Sequence, residues 1–137
     1  MPFLSYLWVG SRKTLEVDVK ATGLIDAFVE VLKSSNEIAR WGGSFGPFIM
    51  AAITGSGDAA TFAFNEAVTP HAASFGMPIP NLGAMALISG QMGRTMSPIA
   101  GVVIVLSGLA MVPPIQLVKR TAIPLIVGVV VLALTIV

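Results

Sequence analysis

The sequence predicts an all-α membrane protein, and its composition and charge distribution are the main observations behind that prediction. Of its 137 residues 55% are hydrophobic and only 11% are charged, whereas an ordinary soluble domain carries about 25% charged residues. Ten of the 15 charged residues (8 basic and 7 acidic) fall within residues 1–40. Uncharged runs of 27, 24 and 17 residues then follow Glu66, Arg94 and Arg120. Because a spanning helix needs about 20 mostly apolar residues, these runs have the length of membrane segments.

The same composition excludes several classes of function. The net charge of +1 gives no basis for nucleic-acid binding. The absence of cysteine excludes disulfides, thiolate metal sites and cysteine nucleophiles. A single histidine and scattered carboxylates do not form the ligand set of a metal centre. We therefore expect neither an enzyme nor a resident metal or cofactor, and the expected environment is the lipid bilayer.

The first part of the chain contains no stretch that can span a bilayer. Residues 1–20 consist of an apolar stub followed by a charged loop. Residues 21–37 are predicted to form an amphipathic helix, because Leu24, Val31 and Leu32 share one face and the charged side chains occupy the other. Such a helix suits the membrane interface, and an ordinary helix packed on protein fits the same pattern.

Residues 38–76 are predicted to form a re-entrant helical hairpin. Two apolar arms flank a polar, glycine-rich segment from Thr54 to Asp58. Each arm is too short to cross about 30 Å of hydrocarbon at about 1.5 Å per residue, so the chain is expected to turn back at this segment. Such a tip is tolerated at membrane depth only where protein or water surrounds it. A single kinked helix through the same residues is the alternative.

Residues 79–112 are predicted to form a broken transmembrane helix. The polar segment Gly90–Pro98 interrupts the apolar run, and its glycines and proline are typical of helix ends. The pair Pro113-Pro114 ends the second half of this helix. Lys119-Arg120 then forms a basic loop that the positive-inside rule places in the cytoplasm. A final transmembrane helix is predicted over residues 121–137.

Two charges within the apolar part of the chain, Asp58 and Arg94, mark the candidate site. Each costs at least about 2.5–3.5 kcal/mol at bilayer depth, which indicates that each has a partner or faces a cavity. The two side chains are expected either to form an internal ion pair or to bind ligands, Arg94 an anionic carboxylate and Asp58 a cation or proton. Helix interruptions favour ligand binding, because they expose amide and carbonyl groups that bind anions and cations.

The candidate substrate-binding residues are those of the two interruptions. Their glycines allow close approach of the backbone, and their hydroxyl groups add small polar ligands. The candidates are Thr54, Gly55, Ser56, Gly57, Asp58, Gly93, Arg94, Thr95, Ser97 and Pro98.

Three segments of the sequence resemble a known family. Thr54–Ala59, Gly93–Pro98 and Val118–Thr121 are similar to the C-terminal part of the DcuC-type anaerobic C4-dicarboxylate transporters of the ion-transporter superfamily. The similarity extends from about Gly23 to Val137, and the Gly-Arg-Thr-x-Ser-Pro stretch is its most specific portion. The resemblance implies a fold of two inverted repeats, each with a re-entrant hairpin and a broken helix, and an elevator-like motion.

The resemblance also implies a function, the movement of succinate, fumarate or malate across the bacterial inner membrane by a secondary carrier coupled to protons or sodium ions. Because members of the family run to several hundred residues, this chain of 137 residues is expected to be a fragment that holds part of one repeat. Alone it is not expected to transport, and a missing N-terminal repeat or a second copy would complete its site. The alternative is a small membrane protein with a structural or regulatory role and no transport activity.

Overall fold

The structure, a computed structural model, describes residues 23–34 and 36–136. Every regular element in that part of the chain is helical, which confirms the all-α prediction there. The predicted N-terminal stub and charged loop lie outside the described residues. The elements are α1 (Leu24–Lys33), α2 (Asn36–Thr54), α3 (Gly57–Ala67), a 3-10 helix (Thr69–Phe75), α4 (Ile79–Thr95), α5 (Gly101–Leu109) and α6 (Pro114–Thr135).

Helices α2 and α4 run parallel at the centre of the structure. Gly43, early in α2, lies against Leu82, early in α4. Just beyond the end of α2, Gly55 lies against Ile99, which follows the end of α4. Contacts at matching ends of the two helices require that both point the same way.

Helix α3 runs in the opposite direction to α4. Gly57, at the start of α3, lies against Gly90, late in α4. One turn further along α3, the hydroxyl of Thr61 donates a hydrogen bond to the carbonyl of Ala86, which is earlier in α4, at 3.2 Å. The chain therefore turns back between α2 and α3, and the alternative of a single kinked helix is wrong.

The main hydrophobic cluster lies where α1, α3, α4 and the 3-10 helix meet. Leu82 and Met85 are completely buried there. Val29 and Leu32 of α1 pack on the same cluster, whereas Val31 is 58% exposed. Of the two interpretations of α1, the structure shows the helix packed on protein. The face it buries includes Val29 and Leu32 but not Val31, which the sequence analysis placed on the apolar side.

The glycines predicted to interrupt the broken helix instead lie inside α4. A β-carbon at Gly93 would overlap the backbone carbonyl of Phe48 in α2. A β-carbon at Gly90 would be 2.5 Å from Oγ1 of Thr61 in α3. Both glycines therefore permit α4 to pack closely on its two neighbours, and the interruption is shorter than the sequence analysis predicted.

Prolines lie at the helix ends on both sides of α5. Helix α4 ends at Thr95, since Pro98 disfavours helical backbone at the residue before it and has no N–H to donate. Pro114 occupies the first turn of α6, where proline is favourable, so this helix starts earlier than predicted. Lys119 and Arg120 consequently lie in its second turn rather than in a loop.

Among the described residues, α6 is the one helix that is long and apolar enough to cross a membrane. Its 22 residues extend about 33 Å at about 1.5 Å per residue. The most apolar window of the helix has a mean hydropathy of 2.1. Ile123, Val127 and Leu134 are exposed, and their spacing places them on one side of the helix. That apolar side suits contact with lipid.

Arg40 of α2 joins the start of the helical bundle to the end of α6. Its Nη2 donates a hydrogen bond to the carbonyl of Leu134 at 3.2 Å, at a helix end whose carbonyls lack intrahelical partners and attract cations. We expect Arg40→Ala to lower the free energy of unfolding by about 1 kcal/mol, measured from thermal unfolding of the purified chain in detergent. Arg120→Ala, which removes an exposed basic side chain, is the control. Equal losses in both variants would contradict the prediction.

Candidate functional site

A tight turn at Gly55 and Ser56 joins α2 to α3, and we call it the tip. Gly55 has φ +73°, a left-handed conformation that is strained for residues with a side chain. The hydroxyl of Ser56 accepts a hydrogen bond from the N–H of Ala59 at 3.2 Å and caps α3. The N–H of Ser56 donates to the hydroxyl of Thr54 at 3.3 Å. Local hydrogen bonds therefore hold the tip in one conformation.

The tip lies against the interruption between α4 and α5. A β-carbon at Gly55 would be 3.0 Å from Cγ1 of Ile99 and 3.3 Å from the backbone nitrogen of Ala100. A β-carbon at Gly57 would be 2.9 Å from the carbonyl oxygen of Gly90. The two interruptions, which are distant in sequence, therefore form one site.

Arg94 and Ser97 lie between those contact points and carry buried polar atoms. Ser97 is 0% exposed, and its Oγ has no hydrogen-bond partner in the described part of the chain. Nε of Arg94 is likewise buried and unpartnered. A buried polar group without a partner costs about 1–3 kcal/mol, and folded proteins contain few of them. Among the described residues Nε of Arg40 and Oγ of Ser44, both in α2, are also buried without a partner. Those of Arg94 and Ser97 are the two that lie at the interruption beside the tip, and this position suits a polar ligand.

The N-terminus of α5 lies at the same interruption, just after Ser97 in the sequence. The helix starts at Gly101, and the preceding Ala100 provides no side-chain cap. No acidic residue lies in the first turn of α5. Because the N–H of Ile104 donates to the carbonyl of Ala100 at 3.0 Å, the N–H groups of the three residues before Ile104 have no acceptor within the helix. Such a helix end attracts anions.

Asp58 places a negative charge beside the tip, whereas the N-terminus of α5 attracts anions. It is the second residue of α3, where a carboxylate interacts favourably with the helix dipole. Its Oδ1 accepts a hydrogen bond from Nε2 of Gln91 at 2.6 Å. The structure joins Asp58 to Gln91 and not to Arg94, so the internal ion pair considered from the sequence is not formed among the described residues.

The other candidate residues have different surroundings. The hydroxyls of Thr54 and Thr95 donate to backbone carbonyls of their own helices, at 2.8 and 2.7 Å. Gly93 lies under the carbonyl of Phe48, and Pro98 is exposed at the interruption. In this conformation these four residues shape the backbone of the site, whereas Arg94, Ser97 and Asp58 supply its polar side chains.

Gln91 is the residue of the site that the sequence analysis did not select. It lies in the segment predicted to be an interruption, and the structure places it in a helix. Its position relative to Arg94 is the signal that points to it, because residues three apart on a helix share a face. The spacing of Gln91 and Arg94 points to a shared face only if α4 is known to continue past Gly90.

A chain that turns back at a polar tip, against an interruption between two helices and beside an apolar helix of spanning length, has features that occur in secondary membrane carriers. The family described as C4-dicarboxylate anaerobic carrier, DcuC, matches residues 17–137. The chain belongs to this family. Its relatives are transporters and not enzymes, and the carriers of the family are integral inner-membrane proteins.

Two relatives illustrate how much of a carrier the chain covers. Over 116 residues it is 59% identical to an uncharacterised transporter of Haemophilus influenzae, a match that covers 85% of this chain and 42% of that protein. Over 83 residues it is 40% identical to the anaerobic C4-dicarboxylate transporter DcuC of Escherichia coli, covering 61% of this chain and 18% of that protein. The chain therefore spans less than half the length of either relative. No solved structure gives a significant match.

Proposed function

We propose that this chain forms part of the substrate site of a carrier that moves C4-dicarboxylates such as succinate, fumarate or malate across the bacterial inner membrane. The observation that carries the proposal is the pair of buried, unpartnered atoms, Nε of Arg94 and Oγ of Ser97, where the tip meets the broken helix. Membership of the family supports the choice of substrate class.

In this proposal Arg94, Ser97 and the N-terminus of α5 bind one carboxylate of the substrate. A guanidinium presents paired N–H donors that match the two oxygens of a carboxylate. The Ser97 hydroxyl and the amides that begin at Gly101 add neutral donors at the end of the helix dipole that attracts anions. No acidic side chain competes for these amides in the first turn of α5.

Asp58 is proposed to bind the coupling ion, either a proton or a sodium ion. Its Oδ1 is held by Gln91, which leaves Oδ2 as the atom assigned to the ion. Carbonyls at the interrupted helix ends are the usual additional ligands of a coupling ion in such carriers. The negative charge of Asp58 also repels a second substrate carboxylate from the tip, so this chain is suited to bind one end of a dicarboxylate only.

The partner for the other carboxylate is therefore proposed to lie outside this chain. Helix α2 has 19 residues and extends about 29 Å, longer than the sequence predicted for this arm, whereas α3 extends only about 17 Å, too short to cross about 30 Å of hydrocarbon. We propose that the two helices together form a re-entrant hairpin. Carriers with broken helices bind substrate between two repeats. We propose that a second repeat, N-terminal to the part described here, supplies the opposite wall of the site; a second copy of this chain is the alternative.

Uptake by a chimeric carrier tests the proposed function. Residues 23–136 of this chain replace the corresponding segment of the Escherichia coli carrier, and uptake of labelled succinate into proteoliposomes is measured. We expect uptake close to that of the unmodified Escherichia coli carrier, which is the positive control. Unlabelled fumarate and malate should compete, whereas acetate, which has a single carboxylate, should not. A chimera that is inserted normally and takes up no dicarboxylate would overturn the proposal.

A further inference from the structure

Gln91 makes two contacts with the first turn of α3. Its Nε2 donates a hydrogen bond to Oδ1 of Asp58 at 2.6 Å. A β-carbon at Gly57 would be 2.9 Å from Oε1 and 3.0 Å from Cδ of Gln91. The side chain of Gln91 therefore lies across the backbone of Gly57 in order to reach Asp58, and this path is open because residue 57 has no side chain.

The preceding residue of α4 contacts the same turn through its backbone. A β-carbon at Gly90 would be 3.0 Å from the carbonyl oxygen of Gly57. Gly90 therefore packs closely on the backbone of Gly57. The next residue of α4, Gln91, holds Asp58 by a side-chain hydrogen bond. The first turn of α3 cannot slide along α4 without breaking both contacts.

Arg94 lies one turn beyond Gln91 on α4. Residues three apart on a helix have β-carbons about 5–6 Å apart, which places Arg94 on the same side of α4 as Gln91, whose amide holds the carboxylate of Asp58. Asp58 is exposed at the start of α3, and a guanidinium within reach of its carboxylate would attract it. The structure nevertheless pairs Asp58 with the neutral amide of Gln91, and Nε of Arg94 has no partner among the described residues.

We propose that Gln91 is a positioning residue that keeps Asp58 from pairing with Arg94. This inference rests on the proposed function, because it concerns the same site. With the amide in place, the guanidinium is free to bind a substrate carboxylate and the tip remains attached to α4. Without the amide, Asp58 turns to Arg94, and the substrate must compete with an internal carboxylate for the same donors. The loss therefore falls on substrate affinity.

Four versions of the chimera test the inference: the parent, Gln91→Met, Asp58→Asn and the double variant. Methionine keeps the length of glutamine and removes the donor. We expect Gln91→Met to raise the Kd and the KM for succinate about tenfold, with little change in the maximal rate of uptake. In the double variant no carboxylate remains to occupy Arg94, so its Kd should match that of Asp58→Asn alone.

The comparison of the two variants that lack the Asp58 carboxylate, Asp58→Asn and the double variant, separates this role from a merely structural one. If Gln91 only supported the fold, the double variant would bind succinate about tenfold more weakly than Asp58→Asn, which would overturn the inference. Parental affinity in Gln91→Met would overturn it too. The matched control is Gln116→Met, which changes an exposed glutamine in the first turn of α6 and should leave the Kd unchanged.

Different results would overturn the proposed function and the role of Gln91. If the folded parent chimera binds no dicarboxylate, the proposed function is overturned, and this inference falls with it. If the parent binds succinate and loses that binding on Arg94→Ala, the proposed function stands. The Gln91 variants then decide the inference separately.

Discussion

The Gly93→Ala variant is expected to lose about 3 kcal/mol of unfolding free energy. Its β-carbon would overlap the carbonyl oxygen and carbon of Phe48. Those are backbone atoms in the interior of α2, so no side-chain rotation can relieve the overlap, and the two central helices must separate. Thermal unfolding of the 137-residue chain in detergent, followed by far-ultraviolet circular dichroism, measures the loss.

Gly108→Ala is the matched control, because it adds the same methyl group to a glycine in another helix. Nothing lies within 4 Å of the added β-carbon at that position. Alanine is favoured over glycine in a helix by up to about 1 kcal/mol, so this variant should be equally or more stable than the parent. Similar destabilisation by both substitutions would show that close packing of α2 on Gly93 does not explain the lower free energy of unfolding of Gly93→Ala.

The two interruptions could be predicted from the sequence because their signals are local. Gly55 is followed by Ser56, a preferred helix cap, and the structure starts α3 directly after it. Pro98 acts on its own neighbours through a missing N–H and a steric clash, and the structure ends α4 just before it. Neither effect depends on what lies across the bundle.

The roles of Gly90 and Gly93 could not be predicted in the same way. A glycine in an apolar run is compatible both with a helix end and with close packing of two helices, and its neighbours in sequence do not separate the two. The deciding atoms are the carbonyl of Phe48 and the backbone of Gly57, which lie on other helices. Only the register between helices brings these atoms to the glycines.

The same dependence on register explains why Gln91 was not selected from the sequence and why Val31 was misplaced. The amide of Gln91 matters because the first turn of α3 lies beside it. Val31 shares an apolar pattern with its neighbours, but α1 packs through Val29 and Leu32. Periodicity predicts that a helix has an apolar side; the rotation of the helix on its partner is settled by packing.

The Arg94→Ala variant of the chimera is expected to bind succinate about 100-fold more weakly. The substitution removes the one charged group in this half of the site that is suited to a carboxylate, and the neutral donors of Ser97 and α5 do not compensate for it. Arg94→Lys keeps the charge but not the paired donors, so its affinity should fall between those of Arg94→Ala and the parent. Titration of the purified proteins with succinate gives the three values of Kd.

Arg120→Ala is the control for loss of a positive charge, because Arg120 is exposed on α6. Its Kd for succinate should equal that of the parent, since long-range attraction between exposed charges is screened beyond about 10 Å at 0.1 M salt. If Arg94→Ala and Arg120→Ala weaken binding equally, the guanidinium acts through net charge and not through contact. If Arg94→Ala binds and transports succinate like the parent, the buried Nε of Arg94 serves the structure alone, and a non-transporting membrane role becomes the better interpretation of this chain.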